Sequence, residues 1–312
     1  MVKGEQFEFP IPEDLNLGSY FLDDNLAPGR AERPAIYYEG GTLSFLDLWH
    51  LTGRMGNVLR HVGVEPENRI LLINEDSPEW VAAWLAAMKI GAVGTHAYTY
   101  LPAHDYTHFL NLVRPKAVIV DGSTLARVRE AAQGQRYPKA LLVAGETGAK
   151  LQGGEFSLPD LLAQADDTLE MEPTHRDDTA FWNFSGGTTG KPKGVPHMHR
   201  DALINFESFN SFLPYGADDI VLRVPKLFFH YSRDNGLMFA LKNGAASILS
   251  AERSTAALMF ELIDKYRPTK ALNVPTMMRA MLETPEDERA DLSCLKRSYS
   301  SGEVLSPQLL ED

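Results

Sequence analysis

From about Ala35 the chain alternates short aliphatic runs with longer stretches whose apolar residues recur at helical spacing. The runs Arg69–Asn74 (RILLIN), Ala117–Asp121 (AVIVD) and Ala140–Ala144 (ALLVA) predict strands. Between the first two, Glu79–Ile90 (EWVAAWLAAMKI) predicts a helix that Gly91 stops. Strand, helix, strand in that order predicts right-handed crossovers and a largely parallel sheet covered on both faces. A stretch rich in Gly, Asp and Glu, Gly145 to Asp178, reads as a connection. The pattern then resumes: Asp219–Val224, Ala246–Leu249 and Lys270–Val274 predict strands, and Ala256–Tyr266 and Pro275–Leu282 predict helices. No fixed-period repeat or low-complexity tract interrupts it. The expected fold class is α/β, with two sheet-containing subdomains and flanking helices, the first over residues 1–175 and the second over 176–312.

Composition narrows the chemistry. With 312 residues, 44% hydrophobic and 23% charged, the chain can fill two cores. The formal net charge is -12, from 42 acidic and 30 basic residues, and no block of Lys or Arg is long enough to track a nucleic-acid backbone, so DNA and RNA are not expected partners. An acidic protein that holds a polyanion has to concentrate positive charge and backbone N–H groups locally. The single cysteine, Cys294, excludes a disulfide within the chain and a thiolate metal cluster, and points to a reducing cytoplasm. Met1 to Pro12 lacks the apolar run of a signal peptide, and nowhere do eighteen apolar residues follow one another, so no membrane association and a cytoplasmic location are expected.

The strongest chemical signal is Ser185 to Gly194, SGGTTGKPKG, directly after the apolar run Ala180–Phe184. Gly186, Gly187 and Gly190 permit backbone angles that side chains forbid, so consecutive N–H groups can turn toward one anion. Ser185, Thr188 and Thr189 add hydroxyl donors, and Lys191 and Lys193 add charge. A surface turn would use the same residue types, but three hydroxyls, three glycines and two lysines within ten residues exceed what a turn needs. It is not a P-loop: only three residues separate Gly186 from Gly190, and Pro192 stands where the metal-binding hydroxyl should be.

SGGTTGKPKG, followed by His199 in GVPHMHRD, resembles the phosphate loop of the adenylate-forming superfamily, which includes acyl-CoA synthetases, luciferases and peptide-synthetase adenylation domains. The segments DSPEWVAAWLAAMKIGAV (Asp76 to Val93), LFFHYSRDNG (Leu227 to Gly236), NVPTMM (Asn273 to Met278) and SSGEVLSP (Ser300 to Pro307) occur in the order that family shows, so the resemblance covers essentially the whole chain. It implies a two-step reaction in which a carboxylate attacks the α-phosphate of Mg-ATP to give an acyl-adenylate and pyrophosphate, and a thiol then takes the acyl group. ATP, Mg2+ and coenzyme A are the implied cofactors and co-substrates. By match to the family, Ser185, Gly186, Gly187, Thr188, Thr189, Gly190 and Lys193 hold the phosphates, with Thr188, Thr189 and Lys193 on the β- and γ-phosphates. Ser301, Gly302, Glu303 and Val304 fall where the family lays adenine.

The resemblance also implies an acid pocket built on Phe229, His230 and Tyr231, with Leu272 and Ser301. Many relatives have His at the position of Phe229. The aromatic block after Lys226 and Leu227 is most similar to the benzoate-CoA ligases, whose pocket is short, flat and apolar. His230 replaces a small apolar residue there, and an imidazole can offer or accept one hydrogen bond to a ring substituent, as in 2-aminobenzoate or a hydroxybenzoate. The alternative is a histidine turned away and satisfied by Asp234 or backbone. Arg233 and Asp234 also depart from the family pattern and read as a surface ion pair. Adenylation domains for α-amino acids usually place an aspartate early in this block, where an aromatic stands here.

The family's later motifs are not found: the magnesium-binding block, the aspartate on the ribose hydroxyls, the hinge and the late catalytic lysine. No catalytic acid, base or metal ligand is therefore assigned. Ser306 and Pro307 make a helix N-cap and first position, yet Asp312 cuts that helix short, which reads as the truncated large N-terminal domain of such an enzyme. Two other readings stay open: an adenylation domain loading a carrier-protein phosphopantetheine, and, for this chain alone, a nucleotide or acyl-adenylate binding module without turnover.

Overall fold

The computed structural model describes residues 9–145, 148, 150–185 and 191–311. Its strands are β1 (Pro34–Tyr38), β2 (Gly41–Ser44), β3 (Arg69–Ile73), β4 (Val93–His96), β5 (Ala117–Val120), β6 (Ala140–Val143), β7 (Glu155–Ser157), β8 (Thr179–Ser185), β9 (Lys193–Met198), β10 (Ile220–Arg223), β11 (Ala246–Ile248), β12 (Lys270–Asn273) and β13 (Arg297–Ser300). They form a seven-stranded sheet, order β7-β6-β5-β3-β4-β8-β9, and a six-stranded sheet, order β13-β12-β10-β11-β1-β2. All pairings are parallel except β8 with β9 and β1 with β2.

The predicted strands match β3, β5, β6, β10, β11 and β12 to within one residue at each end, and the helices Pro78–Lys89, Ala256–Tyr266 and Pro275–Glu283 match equally well. Side chains alternate across each sheet as the two-residue strand period requires. In β3, Ile70 and Leu72 enter one core while Leu71 and Ile73 enter another; in β10 and β12, Val221 and Leu272 face the shared core while Leu222 and Ala271 face away. One central core thus lies between the two sheets. Helix Pro78–Lys89 runs through it and is buried around nearly its whole circumference, as an apolar helix between two layers must be. Ser77 caps its start by accepting the Trp80 N–H at 3.2 Å, and Gly91 ends it at φ +68°.

The boundary expected between residues 175 and 176 does not separate the sheets. β1 and β2 join the six-stranded sheet through β1 and β11, and β8 and β9 join the seven-stranded sheet through β4 and β8. Nor is 145–178 a plain connection: it carries the edge strand β7 and the helix Leu158–Gln164, capped by Ser157. Near the chain end the helix Pro307–Glu311 is capped as expected, with the Leu309 N–H donating to Ser306 Oγ at 3.3 Å.

Candidate functional site

The described ends of the phosphate-loop sequence belong to an antiparallel strand pair, β8 and β9. Ser185, the last residue of β8, pairs with Lys193, the first of β9, and Phe184 pairs with Gly194. A Cβ on Gly194 would stand 2.9 Å from the Trp182 ring, so this strand position accepts only glycine without repacking. Gly186, Gly187, Thr188, Thr189 and Gly190 lie outside the described residues. Lys191 and Lys193, which follow them in sequence, are exposed. His199 is core rather than site: it is buried, its Nδ1 accepts the Leu17 N–H at 3.0 Å, and burial lowers its pKa to about 4.

Ser301–Val304 follows β13 directly. The Ser301 N–H reaches Asn273 O at 3.4 Å, Gly302 turns the chain at φ +86°, and Glu303 Oε2 accepts the Thr276 N–H at 3.1 Å. Val304 is 92% exposed. The segment therefore lies open beyond the carboxyl ends of two parallel strands, the usual ligand position on such sheets.

The acid block leaves the carboxyl end of β10 and continues into a π-helical segment, Tyr231–Met238. Its anchor is a buried polar network that sequence reading missed. Arg223 Nη1 contacts Asp76 Oδ2 at 3.4 Å and donates to Ser232 Oγ at 3.0 Å, while Asp76 Oδ1 accepts the Leu227 N–H at 3.0 Å. The turn between β3 of the seven-stranded sheet and the helix Pro78–Lys89 thereby holds the start of a block that hangs on the other sheet.

The block does not present one wall. Phe228 and Phe229 turn toward Tyr98 and Tyr100, with Phe229 and Tyr98 centroids 5.4 Å apart and Tyr98 stacked on Tyr100 at the same distance. Phe229 lines a cavity of about 560 Å³ with Glu75, Tyr100, Lys226 and Arg253. His230 lines a different cavity, of about 520 Å³, with Ser185, Asn183, His197, Asn205 and Asp234. Tyr231 is half-buried, its hydroxyl has no hydrogen-bond partner among the described residues, and burial pushes its pKa up. Leu272 is fully buried beneath Gly236 rather than on an open surface, and Ser301 is half-buried.

Arg233 and Asp234 are not a surface pair. The Arg233 side chain is 0% exposed, lies over the rings of Trp84 at 4.3 Å and Phe181 at 4.9 Å, and donates through Nε to Asp234 Oδ1 at 2.7 Å. Its Nη2 donates to Asn183 Oδ1 at 2.9 Å. Beside it His96 is buried, and desolvation, with Arg233 and His230 nearby, keeps its pKa well below the usual value. Local spacing gave no signal for this, because Trp84 lies on the helix Pro78–Lys89, His96 on β4, and Phe181 with Asn183 on β8, all distant from Arg233 in sequence. No group of three or more metal-ligating side chains occurs among the described residues, so none of them is assigned to Mg2+.

Residues 24–312 match the family model of the AMP-binding enzyme. The chain is 32% identical over 297 residues to the 4-hydroxybenzoate–CoA/benzoate–CoA ligase of Rhodopseudomonas palustris, covering 95% of this chain and 54% of that protein. It is 33% identical over 297 residues to the benzoate–CoA ligase of Thauera aromatica, covering 95% and 55%. Its fold is similar to that of the anthranilate CoA ligase AuaEII in complex with anthranoyl-AMP, with a TM-score of 0.90, 28% identity, and 96% of this chain and 57% of that one covered. The chain thus spans about half the length of the curated relatives it matches.

Proposed function

This chain belongs to the AMP-binding enzyme family, and we propose that the intact protein activates an aryl carboxylate of the benzoate type with ATP and passes the acyl group to coenzyme A. The observation that carries this reading is the cavity that touches both Ser185, at the foot of the phosphate loop, and His230, in the acid block. An aromatic acid held there has its carboxylate within reach of an α-phosphate whose leaving group lies on the loop.

In the first step a carboxylate oxygen bonds to the α-phosphorus of ATP as the bond to pyrophosphate breaks. In the second, the thiol sulfur, its proton lost, bonds to the acyl carbon and AMP leaves. Ser185, Lys193 and the residues 186–190 between them neutralise and orient the departing pyrophosphate, which is electrostatic stabilisation rather than acid–base work. Ser301–Val304 receives adenine on an open backbone segment. Phe181 and Phe184 supply flat apolar wall for a ring, and His230 offers its substituent a polar contact. Mg2+ would accompany the nucleotide in this chemistry and shield its phosphate charge.

The names of the benzoate– and hydroxybenzoate–CoA ligases support the aryl class and coenzyme A as acceptor over a carrier protein. The lone cysteine supports a cytoplasmic site of action. Among the described residues no helix is long and apolar enough to cross a membrane. The test is a mass-spectrometric screen of aryl acids with ATP, coenzyme A and the intact protein. An aryl-CoA thioester with stoichiometric AMP is expected; turnover of fatty or amino acids alone would overturn the reading.

A further inference from the structure

We propose that Asp234 reads the ring substituent of the acid and selects rings that carry a hydrogen-bond donor, an amino or a hydroxyl group. The inference rests on the aryl-acid reading above and adds what that reading leaves open, because an imidazole such as His230 can either donate or accept.

Arg233 governs the hydrogen bonding of the cavity wall. Its guanidinium has donors and no acceptor, so the atom of Asn183 that it contacts at 2.9 Å is the amide oxygen. The Asn183 amide nitrogen then faces His197 Nε2 at 3.1 Å and donates to it. Burial lowers the pKa of His197, so its ring is neutral near pH 7 and its proton sits on Nδ1, the side of Asp201. One buried cation thereby sets the direction of hydrogen bonding along a whole wall of the cavity.

The same cation fixes Asp234. Arg233 Nε holds Oδ1 at 2.7 Å, while Asp234 lines the cavity with 14% of its side chain exposed. Its Oδ2 has no hydrogen bond to any described residue. The other carboxylate of the cavity, Asp201, is engaged through Oδ2 with the Met198 N–H at 2.9 Å at the start of helix His199–Phe212. No Lys or Arg lines the cavity among the described residues, and its remaining walls include Phe181, Phe184 and Val195. An anionic second substituent would face two carboxylates, and a methyl or methoxy group would cover the Asp234 oxygen without a proton to offer it. A neutral donor satisfies it. A site built to receive a donor rejects the analogue that lacks one more strongly than an apolar pocket rejects an extra atom, because the buried polar group is left unpaired.

The experiment compares kcat/KM of the intact protein, with ATP and coenzyme A, for benzoate, the aminobenzoates, the hydroxybenzoates, and the methyl- and methoxybenzoates of matching position. In wild type at least one amino or hydroxy acid is expected to exceed its methyl counterpart about tenfold or more, and the two arms identify which donor is taken. Asp234→Asn keeps an oxygen for Arg233 and turns an N–H to the cavity. Relative to benzoate in the same variant, it should lower the preferred donor-bearing acid roughly ten- to a hundredfold and improve the methoxy acid. Wild type that treats donor and methyl acids alike overturns the proposal even if the variant does not fold. An equal loss for every acid in Asp234→Asn also overturns it. Activity on no aryl acid at all overturns the aryl-acid reading and this inference with it, an outcome distinct from the other two.

Discussion

Arg223 and Asp76 stand 147 residues apart in sequence, yet their side chains meet at 3.4 Å with 1% and 4% of their surfaces exposed. The contact joins the two sheets at the point where the acid block begins, since Asp76 also accepts the Leu227 N–H and Arg223 donates to Ser232. Four further bonds satisfy the guanidinium and its neighbours, including Nε to Ser247 Oγ and Nη2 to Ile248 O, both at 3.0 Å. A buried pair so supported holds geometry, and its value lies in leaving neither charge alone.

Asp76→Ala strands the Arg223 charge and the Leu227 N–H together. The expected loss of stability is about 3–5 kcal/mol, read from urea denaturation of the intact protein. Asp76→Asn keeps an acceptor for Leu227 and should cost less. Equal stability of wild type and both variants would show that the network carries no structural weight.

At the loop, the proposed role of Lys193 and Thr188 in holding the leaving pyrophosphate is tested by combining Lys193→Ala with Thr188→Ala. Acyl-adenylate formation should slow by roughly 10² to 10³, while thioester formation from supplied adenylate changes little. Separate rapid-quench assays of the two half-reactions decide it; equal losses in both would reject the assignment.

His230 lines the same cavity as Asp234 and is tested separately. If its imidazole also bonds the substituent, His230→Ala should lower kcat/KM for an amino- or hydroxybenzoate by roughly ten- to a hundredfold, since a stranded polar group costs about 1 to 3 kcal/mol. Benzoate has no group to strand and should hold or improve. A uniform drop across all acids would reduce His230 to a piece of wall.

Acid should destabilise the fold through His199. Its folded pKa, about 4, lies below the ordinary 6.5, so between those values the unfolded chain binds more protons than the folded one. The contribution is complete above pH 6.5 and is lost as pH falls toward 4, up to about 3 kcal/mol for a shift of this size. Urea midpoints measured across this window should drop in wild type. In His199→Asn, whose amide oxygen can still accept the Leu17 N–H, the drop should be shallower.

The residues by themselves determined the parts of this protein that depend on near neighbours. Six parallel strands and three helices were legible because a buried strand or an amphipathic helix repeats its apolar pattern within a few residues, and Ser306 was legible as a cap because capping is a contact over three residues. The phosphate-loop reading rests on chemistry packed into ten consecutive positions, whose described ends Ser185 and Lys193 pair across β8 and β9. Only the tertiary structure decided which sheet received β1 and β2, since the pairing of Ile36 with Ser247 depends on packing across the molecule rather than on either segment's pattern. It likewise decided that Phe229 and His230, though adjacent, face different cavities, and that the Arg233–Asp234 pair lies inside. Charge alone suggests a surface position for such a pair; burial became favourable here because Trp84 from one helix and Phe181 and Asn183 from β8 surround the guanidinium with rings and an acceptor.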